Sequence, residues 1–386
     1  MTRRAPRLLI VSPVASHPAR QGNAARIVAV ADGLAARGVL CEFLYHTAEG
    51  MTVEEEEAMR AAWLAFHVNH AERRPEPRFP GLWGIDDWCP QSLVARVAAL
   101  HRARRYDAVL VNYVWLTRIL EGLGDPAPLR VLDTHDVFGG RRELALASGL
   151  DPSWFFTTVA EESRGLARAD LVLAIQAGEA AELEARGARR VLLLGHAPPP
   201  RFLTARPFAA PRAPYGVLAS GNPWNVAAVR ALDAAMAGGP AWLLAGSVLR
   251  AIDAAHALRS RPLALDPVED IADFYDAVGC VIVPNTGGTG LKIKTVEALM
   301  SGRPVIGTVH AFAGLRPMHP GHRAADPPSL AALVRRHAAD PAFAAEVAGA
   351  TRRLALEVAA GVAVQQDALA AMLAASPAVQ RGAPAP

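Results

Sequence analysis

The stretch GCVIVPNTGGTGLKIKTVEALMSGRPVIGT, residues 279–308, decides the fold class of this chain. It begins with an apolar run rich in β-branched residues, which is typical of a buried strand. A glycine-rich loop follows, and then come the helix-forming segment TVEALMSG and a second apolar run, RPVIGT. Strand, helix and strand in this order predict a βαβ unit with two parallel strands.

The rest of the chain repeats this alternation in two series of strands. The first series is RLLIVSP, VLCEFLYH, YDAVLVNY, RVLDTHD, LVLAIQ and RVLLLG, and the second is YGVLASG, AWLLAG, RPLALD, GCVIVP and RPVIGT. Continuous apolar strands indicate parallel sheets that helices cover on both faces. Because 386 residues exceed what one core usually supports, we predict an α/β fold of two doubly wound, Rossmann-like domains that face each other across a cleft.

A proline-rich segment separates the two series. We predict an N-terminal domain over residues 1–196, a linker over 197–214 and a C-terminal domain over 215–358. The linker assignment rests on its prolines, which allow neither a helix nor a central strand. Residues 359–375 form a last helical segment, and the tail 376–386 is predicted to be disordered.

Composition narrows the class of protein. A net charge of +3 with scattered arginine pairs does not make the concentrated basic surface of a nucleic-acid binder. The surface is still compatible with an anionic substrate or with peripheral contact with a membrane face. Cys41, Cys89 and Cys280 form no CxxC pattern and predict reduced thiols in a cytoplasmic protein. No apolar run approaches 18 residues, which predicts that no segment spans a membrane.

The glycine-rich loop holds Lys292 and Lys294, the only lysines in a chain whose other basic residues are arginines. Glycines in this loop let the backbone turn its amides toward an anion, and the helix that follows presents its positive end there. Lys294 and Glu297 are three residues apart and share one face of that helix. We expect Lys294 to neutralise a phosphate while Glu297 accepts hydrogen bonds from a vicinal diol such as ribose.

Two other interpretations of the loop stay open at this point. One is an ordinary surface loop with solvated lysines. The other is a P-loop, because strand, glycine loop and helix come in the required order. Gly288 is followed by four residues and then by Ile293, Lys294 and Thr295, so that Ile293 replaces the second glycine of the Walker pattern.

The segment VPNTGGTGLKIKTVEALMSGRPVIGT resembles the nucleotide-sugar signature of retaining GT-B glycosyltransferases of the family 4 kind, which include bacterial surface-polysaccharide enzymes. Glu297 matches the glutamate that holds the donor's ribose in that family. The backbone turn near the diphosphate and sugar is matched by Gly290, Leu291 and Lys292, with Gly288 beside it. Thr289 stands where the family usually has a glutamate that binds donor-sugar hydroxyls.

The resemblance extends to the N-terminal half. SPVASHPARQGNAARIVAVADGLAARG resembles the family's first strand, loop and helix, which implies a donor-binding role for Gly22, Asn23 and Arg26. DTHDVF, residues 133–138, resembles the histidine–acid step that faces the donor sugar. His135 is therefore expected to be catalytic, with Asp136 in the donor site and with Asp133 or Asp136 holding the imidazole tautomer.

In the C-terminal half, LASGNPWN (218–225) resembles the strand and loop that open the donor domain. The family's arginine and lysine phosphate clamp is absent there, so Lys292 and Lys294 are the expected replacements beside Gly221, Asn222 and Asn225. The segment around DPVEDIADFYDAV, with Leu265 and Val268, resembles the part that cradles the base. GVAVQQDALAAML resembles the helix that crosses back to the first domain.

The resemblance implies a hexosyltransferase that moves a sugar from a UDP- or GDP-sugar to a hydroxyl acceptor with retention, without a metal or another cofactor. His135, Lys294 and Glu297 are its expected catalytic residues. The acceptor is a saccharide, a lipid-linked sugar or a small molecule, and nucleic acid is not a partner. Trp83, Trp88 and Trp115 either stack on the acceptor or pack in the core. A nucleotide-sugar epimerase of the same architecture and a non-catalytic nucleotide-sugar-binding protein remain alternatives.

Overall fold

The computed structural model describes residues 4–71, 76–150, 155–203, 210–252, 257–268 and 270–376. The chain divides into two compact units. The first comprises Met1–Ala147, Pro152–His196 and Val362–Pro386, and the second comprises Ser148–Asp151 and Ala197–Gly361. Within the predicted linker, Arg201–Leu203 form a short 3₁₀ helix. Apart from Ser376, the predicted disordered tail lies outside the described residues.

The first unit contains a seven-stranded, wholly parallel sheet in the order β3-β2-β1-β4-β5-β6-β7. A 3₁₀ helix, Val114–Gly122, follows β4. The elements are β1 Arg7–Ser12, α1 Gly22–Ala35, β2 Leu40–His46, α2 Val53–Ala62, β3 Phe66–Asn69, α3 Gln91–Arg104, β4 Ala108–Asn112, β5 Leu129–Asp133, α4 Arg141–Ala147, α5 Val159–Leu166, β6 Leu171–Ala174, α6 Ala177–Ala185 and β7 Val191–Leu193.

The second unit contains a five-stranded parallel sheet in the order β10-β9-β8-β11-β12. Its elements are β8 Ala213–Leu218, α7 Pro223–Ala235, β9 Trp242–Ala245, α8 Val248–Ala251, β10 Leu263–Leu265, α9 Ile271–Ala277, β11 Val278–Val283, α10 Ile293–Ser301, β12 Val305–Gly307, α11 Pro327–Ala339 and α12 Pro341–Ala374. The predicted fold class, two Rossmann-like units with parallel sheets, is confirmed.

Alternating side chains on each strand fill the two faces of the first sheet. Leu8 and Ile10 of β1 pack with Ile27 of α1 on one face. Leu9 and Val11 point to the other face and join the cluster that contains α3. Because both faces are covered, the strands carry apolar residues at consecutive positions, which is the pattern that identified them in the sequence.

Helix α12 differs from the prediction of a separate helix at 359–375. It is one continuous helix, and its residues from Val362 onward belong to the first unit while the preceding part belongs to the second. By length and composition alone α12 is apolar enough to cross a membrane, with a mean hydropathy of 1.2 over 18 residues. Of that window 22% is buried. Phe343 and Val347 of α12 pack in the core of the second unit, and Leu369 and Leu373 pack in the core of the first.

The strand order places one reversal in each sheet. In the first unit β1 lies between β2 and β4, and in the second unit β8 lies between β9 and β11. The loops that leave adjacent strands in opposite directions open a crevice at the carboxyl edge of such a sheet. Most of the residues singled out by the sequence follow these strands.

Candidate active-site residues in the two units

The loop after β11, residues 284–292, is shaped by left-handed glycines. Gly288 has a φ of 88° and Gly290 a φ of 78°. Side chains with a Cβ rarely adopt this conformation, which explains why the loop is built from glycine. The loop leads directly into α10, whose first N–H groups have no helical acceptor and attract negative charge.

Lys294 and Glu297 lie on one face of α10, as their spacing predicts. The Lys294 Nζ is 2.8 Å from the Glu297 Oε2, with the two side chains 30% and 10% exposed. A cation and a carboxylate acceptor are thus held side by side in the first turns of the helix. Lys294 is the more exposed of the two, and the Oε2 of Glu297 is buried.

Lys292 turns its side chain back onto its own loop. Its Nζ donates to the backbone carbonyl oxygens of Gly288 at 3.1 Å, Thr289 at 2.9 Å and Gly290 at 2.8 Å. An ammonium carries three protons, so one nitrogen can donate to three such oxygens. The structure thus turns Lys292 toward its own loop, and its expected role as a replacement for the phosphate clamp stays a prediction.

The loop after β8 reaches the glycine loop through asparagine side chains. Asn222 caps α7 by accepting a hydrogen bond from the Asn225 N–H at 2.9 Å. The Asn225 Oδ1 accepts one from Asn285 Nδ2 at 3.0 Å, and its Nδ2 donates to Ser220. Gly221 donates its amide to Ser247 Oγ. The predicted donor-binding asparagines therefore join the two loops, and their side chains serve local structure.

Trp224 is a residue that the sequence-based argument missed. A Cβ added at Gly287 would lie 2.9 Å from the Trp224 Cδ1, and one at Gly288 would lie 3.8 Å from its Cγ. The indole therefore packs directly against the glycine loop. The motif LASGNPWN contains this tryptophan, and the resemblance assigns a role only to its glycine and asparagines.

Leu265 and Val268 lie at the end of β10 and just after it, and β10 is an edge strand of the same sheet. Leu265 ends β10, and its carbonyl oxygen accepts a hydrogen bond from the Gly246 N–H at 3.1 Å. Both side chains are half-buried. The carboxyl edge of the second sheet thus gathers the loops after β8, β10 and β11, which hold all the predicted donor-binding residues of this unit.

In the first unit, His135 follows β5 in a strained backbone conformation with a φ of 60°. Its Nε2 lies 2.8 Å from the Asn112 Oδ1, and its ring stacks on Tyr113 at 4.3 Å between centroids. Burial lowers the pKa of His135 to about 4, so that the imidazole is neutral at pH 7. Non-glycine residues held at positive φ often cluster at functional sites.

The carboxylates expected to hold the His135 tautomer have other partners. Asp133 is 3.9 Å from the His135 Nε2 and is instead paired with Arg26. Asp136 is paired with Arg141 at 2.8 Å. The Asn112 oxygen is an acceptor, so it selects the tautomer that carries its proton on Nε2. This corrects the assignment of Asp133 or Asp136 as the orienting group.

Arg26 is a structural residue in this arrangement. Its side chain is 1% exposed and makes three short contacts to Asp133, while Nη1 donates to the carbonyl oxygens of Leu194 and Gly195. The structure gives Arg26 a buried carboxylate partner inside the first unit, and its donor-binding role stays a prediction.

Gly22 and Asn23 begin α1 beside a pocket of about 170 Å³ in the first unit. Asn23 and Tyr113 both line this pocket. Trp88 Nε1 is buried and has no hydrogen-bond partner in the part of the chain that the structure describes. The walls of the pocket include Trp88, Tyr113, Trp115 and Phe155.

The aromatic walls continue to His135. Tyr113 stacks on Trp115 at 4.4 Å and, on its other side, on His135. Trp83 contacts Trp88 edge-on at 5.2 Å and is a packing residue behind the pocket. Of the three tryptophans considered from the sequence, Trp88 and Trp115 line the cavity and Trp83 supports them.

The chain is similar to known proteins in part of its sequence and in its fold. Residues 221–340 match the family model described as glycosyl transferases group 1. No curated protein sequence matches the chain. A sucrose-phosphate synthase from Thermosynechococcus elongatus has a similar structure, with a TM-score of 0.68 and 18% identity over 96% of this chain and 99% of that one.

Two further solved structures share the fold. Anabaena HepE in complex with UDP and glucose has a TM-score of 0.61 and 16% identity over 96% of this chain and 99% of its own. A glycosyltransferase from Rickettsia africae has a TM-score of 0.59 and 11% identity over 98% and 100% of the two chains. Residues 221–340 are therefore similar to the group 1 glycosyl transferases, and the chain shares its fold with these solved structures.

Proposed function

We propose that this protein is a metal-independent hexosyltransferase that moves a sugar from a UDP- or GDP-sugar to a hydroxyl acceptor with retention. The observation that carries the proposal is the carboxyl edge of the second sheet. There a left-handed glycine loop, the N-terminal end of α10, a lysine and an acceptor carboxylate come together. This set of groups suits a nucleoside diphosphate, because it offers amides and a cation to phosphate and an oxygen acceptor to ribose.

Lys294 and Glu297 divide the donor between them. Their ion pair opens when Lys294 turns to the diphosphate and Glu297 accepts hydrogen bonds from the ribose hydroxyls. Lys294 then exchanges one anionic partner for another, and Glu297 keeps charge-assisted hydrogen bonds. Because neither group is left as an unpaired charge, the exchange of partners costs little free energy.

The reaction needs stabilisation of an anionic leaving group. The bond between the anomeric carbon and the β-phosphate oxygen breaks, and a bond from the acceptor oxygen forms on the same face of the sugar. The acceptor's proton passes to the departing phosphate oxygen, so no protein base is required. Lys294 and the oriented amides at the start of α10 stabilise the charge that develops on the phosphate.

We place the acceptor in the pocket of the first unit. Aromatic side chains there offer flat apolar faces of the kind that pack on sugar rings. Gln21, Asn23 and Glu49 supply polar groups for hydroxyls, and the buried Trp88 Nε1 supplies a donor. His135 adjoins this pocket through Tyr113 and acts as a neutral hydrogen-bonding group. A saccharide, free or lipid-linked, is the acceptor that fits these features best.

The experiment measures binding and turnover with the full-length protein. Thermal shifts with UDP-, GDP-, ADP- and dTDP-sugars identify the donor, because a ligand that binds the folded state raises its stability. Release of nucleoside diphosphate only when an acceptor saccharide is present, with the product's anomeric configuration retained and the rate unchanged by EDTA, supports the proposal. Donor conversion without acceptor indicates an epimerase, and binding without turnover indicates a binding protein.

We further propose that the protein is a cytoplasmic enzyme of polysaccharide biosynthesis that contacts the membrane peripherally. Cys41, Cys89 and Cys280 are free and buried, and burial raises the pKa of Cys41 and Cys89 to about 12. Thiols with such pKa values are unreactive at pH 7. Fractionation of cells that express the protein, with a salt wash of the membrane fraction, tests its location.

A further inference from the structure

We infer that Lys292 and His310 are positioning residues that hold the carbonyl side of the 284–292 loop and thereby present the amides of Thr289, Gly290 and Leu291 to the diphosphate. This inference rests on the proposed function and deepens it. It assigns the two lysines of the loop different tasks, with Lys294 facing the ligand and Lys292 shaping the surface that receives it.

The direction of the amides follows from the Lys292 contacts. Its Nζ is bound by the carbonyl oxygens of three consecutive residues, Gly288, Thr289 and Gly290. In a planar trans peptide the C=O and the next residue's N–H point in opposite directions. The N–H groups of Thr289, Gly290 and Leu291 therefore point away from the ammonium.

These three amides have no acceptor within the described parts of the chain. Gly290 and Leu291 are nevertheless buried. Buried backbone N–H groups are paired almost without exception in folded proteins. Successive unpaired amides at the start of a helix form an anion-binding concavity. We therefore infer that a ligand oxygen is the acceptor of these amides.

His310 holds the same carbonyl side from another loop. Its Nε2 lies 2.9 Å from the Gly288 oxygen, which also accepts from Lys292. Burial and the nearby Lys292 charge lower the pKa of His310, so the ring is neutral and donates through an N–H on Nε2. The loop that carries His310 is tied to the glycine loop by Thr308, whose Oγ1 donates to the Asn285 oxygen.

This geometry explains why the position is a lysine in a chain that otherwise uses arginine. Three oxygens lie between 2.8 and 3.1 Å from a single nitrogen atom. An ammonium can direct its three protons at such a tripod, whereas a guanidinium is planar and spreads its donors over a rigid fork. An arginine at 292 would keep the charge and lose the arrangement.

The test compares Lys292→Arg with Lys292→Met and uses Arg60→Met, which removes an exposed cation of the first unit, as the control for a lost charge. Dissociation constants for UDP, GDP, ADP and dTDP are measured by calorimetry on the full chain. We expect both Lys292 variants to bind the preferred nucleoside diphosphate roughly 10- to 100-fold more weakly, because misplaced groups cost about this much. Arg60→Met removes a charge outside the proposed donor site and should bind like the wild type.

If Lys292→Arg binds like the wild type and only Lys292→Met binds more weakly, the charge itself matters. That result would overturn the inference and leave the proposed function standing. If the wild type binds none of the four diphosphates, the proposed function fails together with the inference. Thermal unfolding of each variant verifies that the chain still folds.

His310 gives a second test that does not depend on Lys292 variants folding. His310→Leu should weaken diphosphate binding, and His310→Gln should restore much of it by supplying an N–H donor. Because both residues act on the Gly288 carbonyl, the fold-losses of Lys292→Met and His310→Leu should not multiply in the double variant. Losses that multiply, or a His310→Leu variant that binds like the wild type, would contradict the inference.

Discussion

At the scale of single residues, the two lysines show how identical side chains two positions apart acquire different roles. Lys294 lies on the exposed face of α10 beside Glu297, and Lys292 is folded into its loop. The difference comes from the left-handed turns at Gly288 and Gly290, which bring three carbonyl oxygens to one point. Substitutions of Lys294 should therefore affect ligand binding directly, and substitutions of Lys292 should affect the conformation of the loop.

Lys294→Met should lower kcat/KM, because it removes the cation that the proposed site offers to the leaving group. The expected loss of transition-state stabilisation is roughly 2–4 kcal/mol. Steady-state kinetics with the donor identified by thermal shift give the value. Glu297→Gln, which keeps the size of the side chain, should mainly raise the KM for the donor. A Lys294→Met enzyme with nearly normal kcat/KM beside an inactive Glu297→Gln enzyme would show that Lys294 has been assigned wrongly.

His135→Ala should reduce kcat while the dissociation constant of the nucleoside diphosphate stays unchanged. The reason is that the proposed diphosphate site lies in the second unit, whereas His135 and the pocket that it adjoins belong to the first. Calorimetry and turnover on the same preparation separate the two effects. Loss of diphosphate affinity together with thermal stability would identify His135 as a structural residue.

Arg26→Met should destabilise the protein by about 3–5 kcal/mol, because it leaves the buried Asp133 carboxylate without its partner. Urea unfolding measures the effect. Arg20→Met is the matched control, since its pair with Glu54 is exposed and contributes about 0–1 kcal/mol. A stable Arg26→Met variant with weakened donor binding would contradict the structural role and would favour the donor-binding role expected from the sequence.

At the scale of elements, helix α10 is defined at both ends by backbone that leaves the helical region. It begins after the glycine loop and ends at Gly302, which has a φ of 84° and packs against Phe202. A left-handed residue after the last turn satisfies terminal carbonyl groups and stops the helix. The helix that carries Lys294 and Glu297 is therefore fixed in length by its glycine cap.

Gly302→Ala should destabilise the second unit by roughly 1–3 kcal/mol, because the new Cβ is strained at positive φ and would lie 2.7 Å from the Phe202 Cβ. Gly361→Ala in α12 is the control, since its Cβ would meet nothing within 4 Å. That change should be neutral or stabilising by about 0.5–1 kcal/mol. Equal thermal unfolding of the two variants would contradict this account of the cap.

At the scale of the whole molecule, two buried histidines make stability depend on pH. Burial lowers the pKa of His322 to about 4, and His135 has a similar value. His322 stacks on Phe312 and hydrogen-bonds Thr351. The unfolded chain, with an ordinary histidine pKa near 6.5, binds more protons than the native state between these values. Stability from this source is complete above pH 6.5 and is lost as the pH falls to 4.

His322→Gln should therefore flatten the pH dependence of the unfolding free energy between pH 6.5 and 4. The wild type should lose up to about 3 kcal/mol more than the variant over this range, because one pKa unit corresponds to 1.36 kcal/mol. Urea unfolding at several pH values measures the difference. Parallel pH profiles for the two proteins would show that His322 does not titrate as its burial predicts.

The sequence alone determined the fold class and the location of the glycine-rich loop between β11 and α10. Apolar runs such as GCVIVP and RPVIGT identify buried parallel strands by composition, because neither face of such a strand meets water. The edge strand β3 was missed, since FHVN is short and half polar. The shared face of Lys294 and Glu297 followed from helical spacing, which is a local property of the chain.

Only the tertiary structure decided which side chains meet across long sequence separations. The Arg26 pair with Asp133, the Asn112 contact with His135 and the packing of Trp224 on Gly287 join residues far apart in the chain. The direction of Lys292 was equally invisible, because it depends on how two left-handed glycines bend the backbone. A local sequence pattern indicates secondary-structure propensity and periodicity. Which group pairs with a given charge depends on which residues lie close in three dimensions and on their burial.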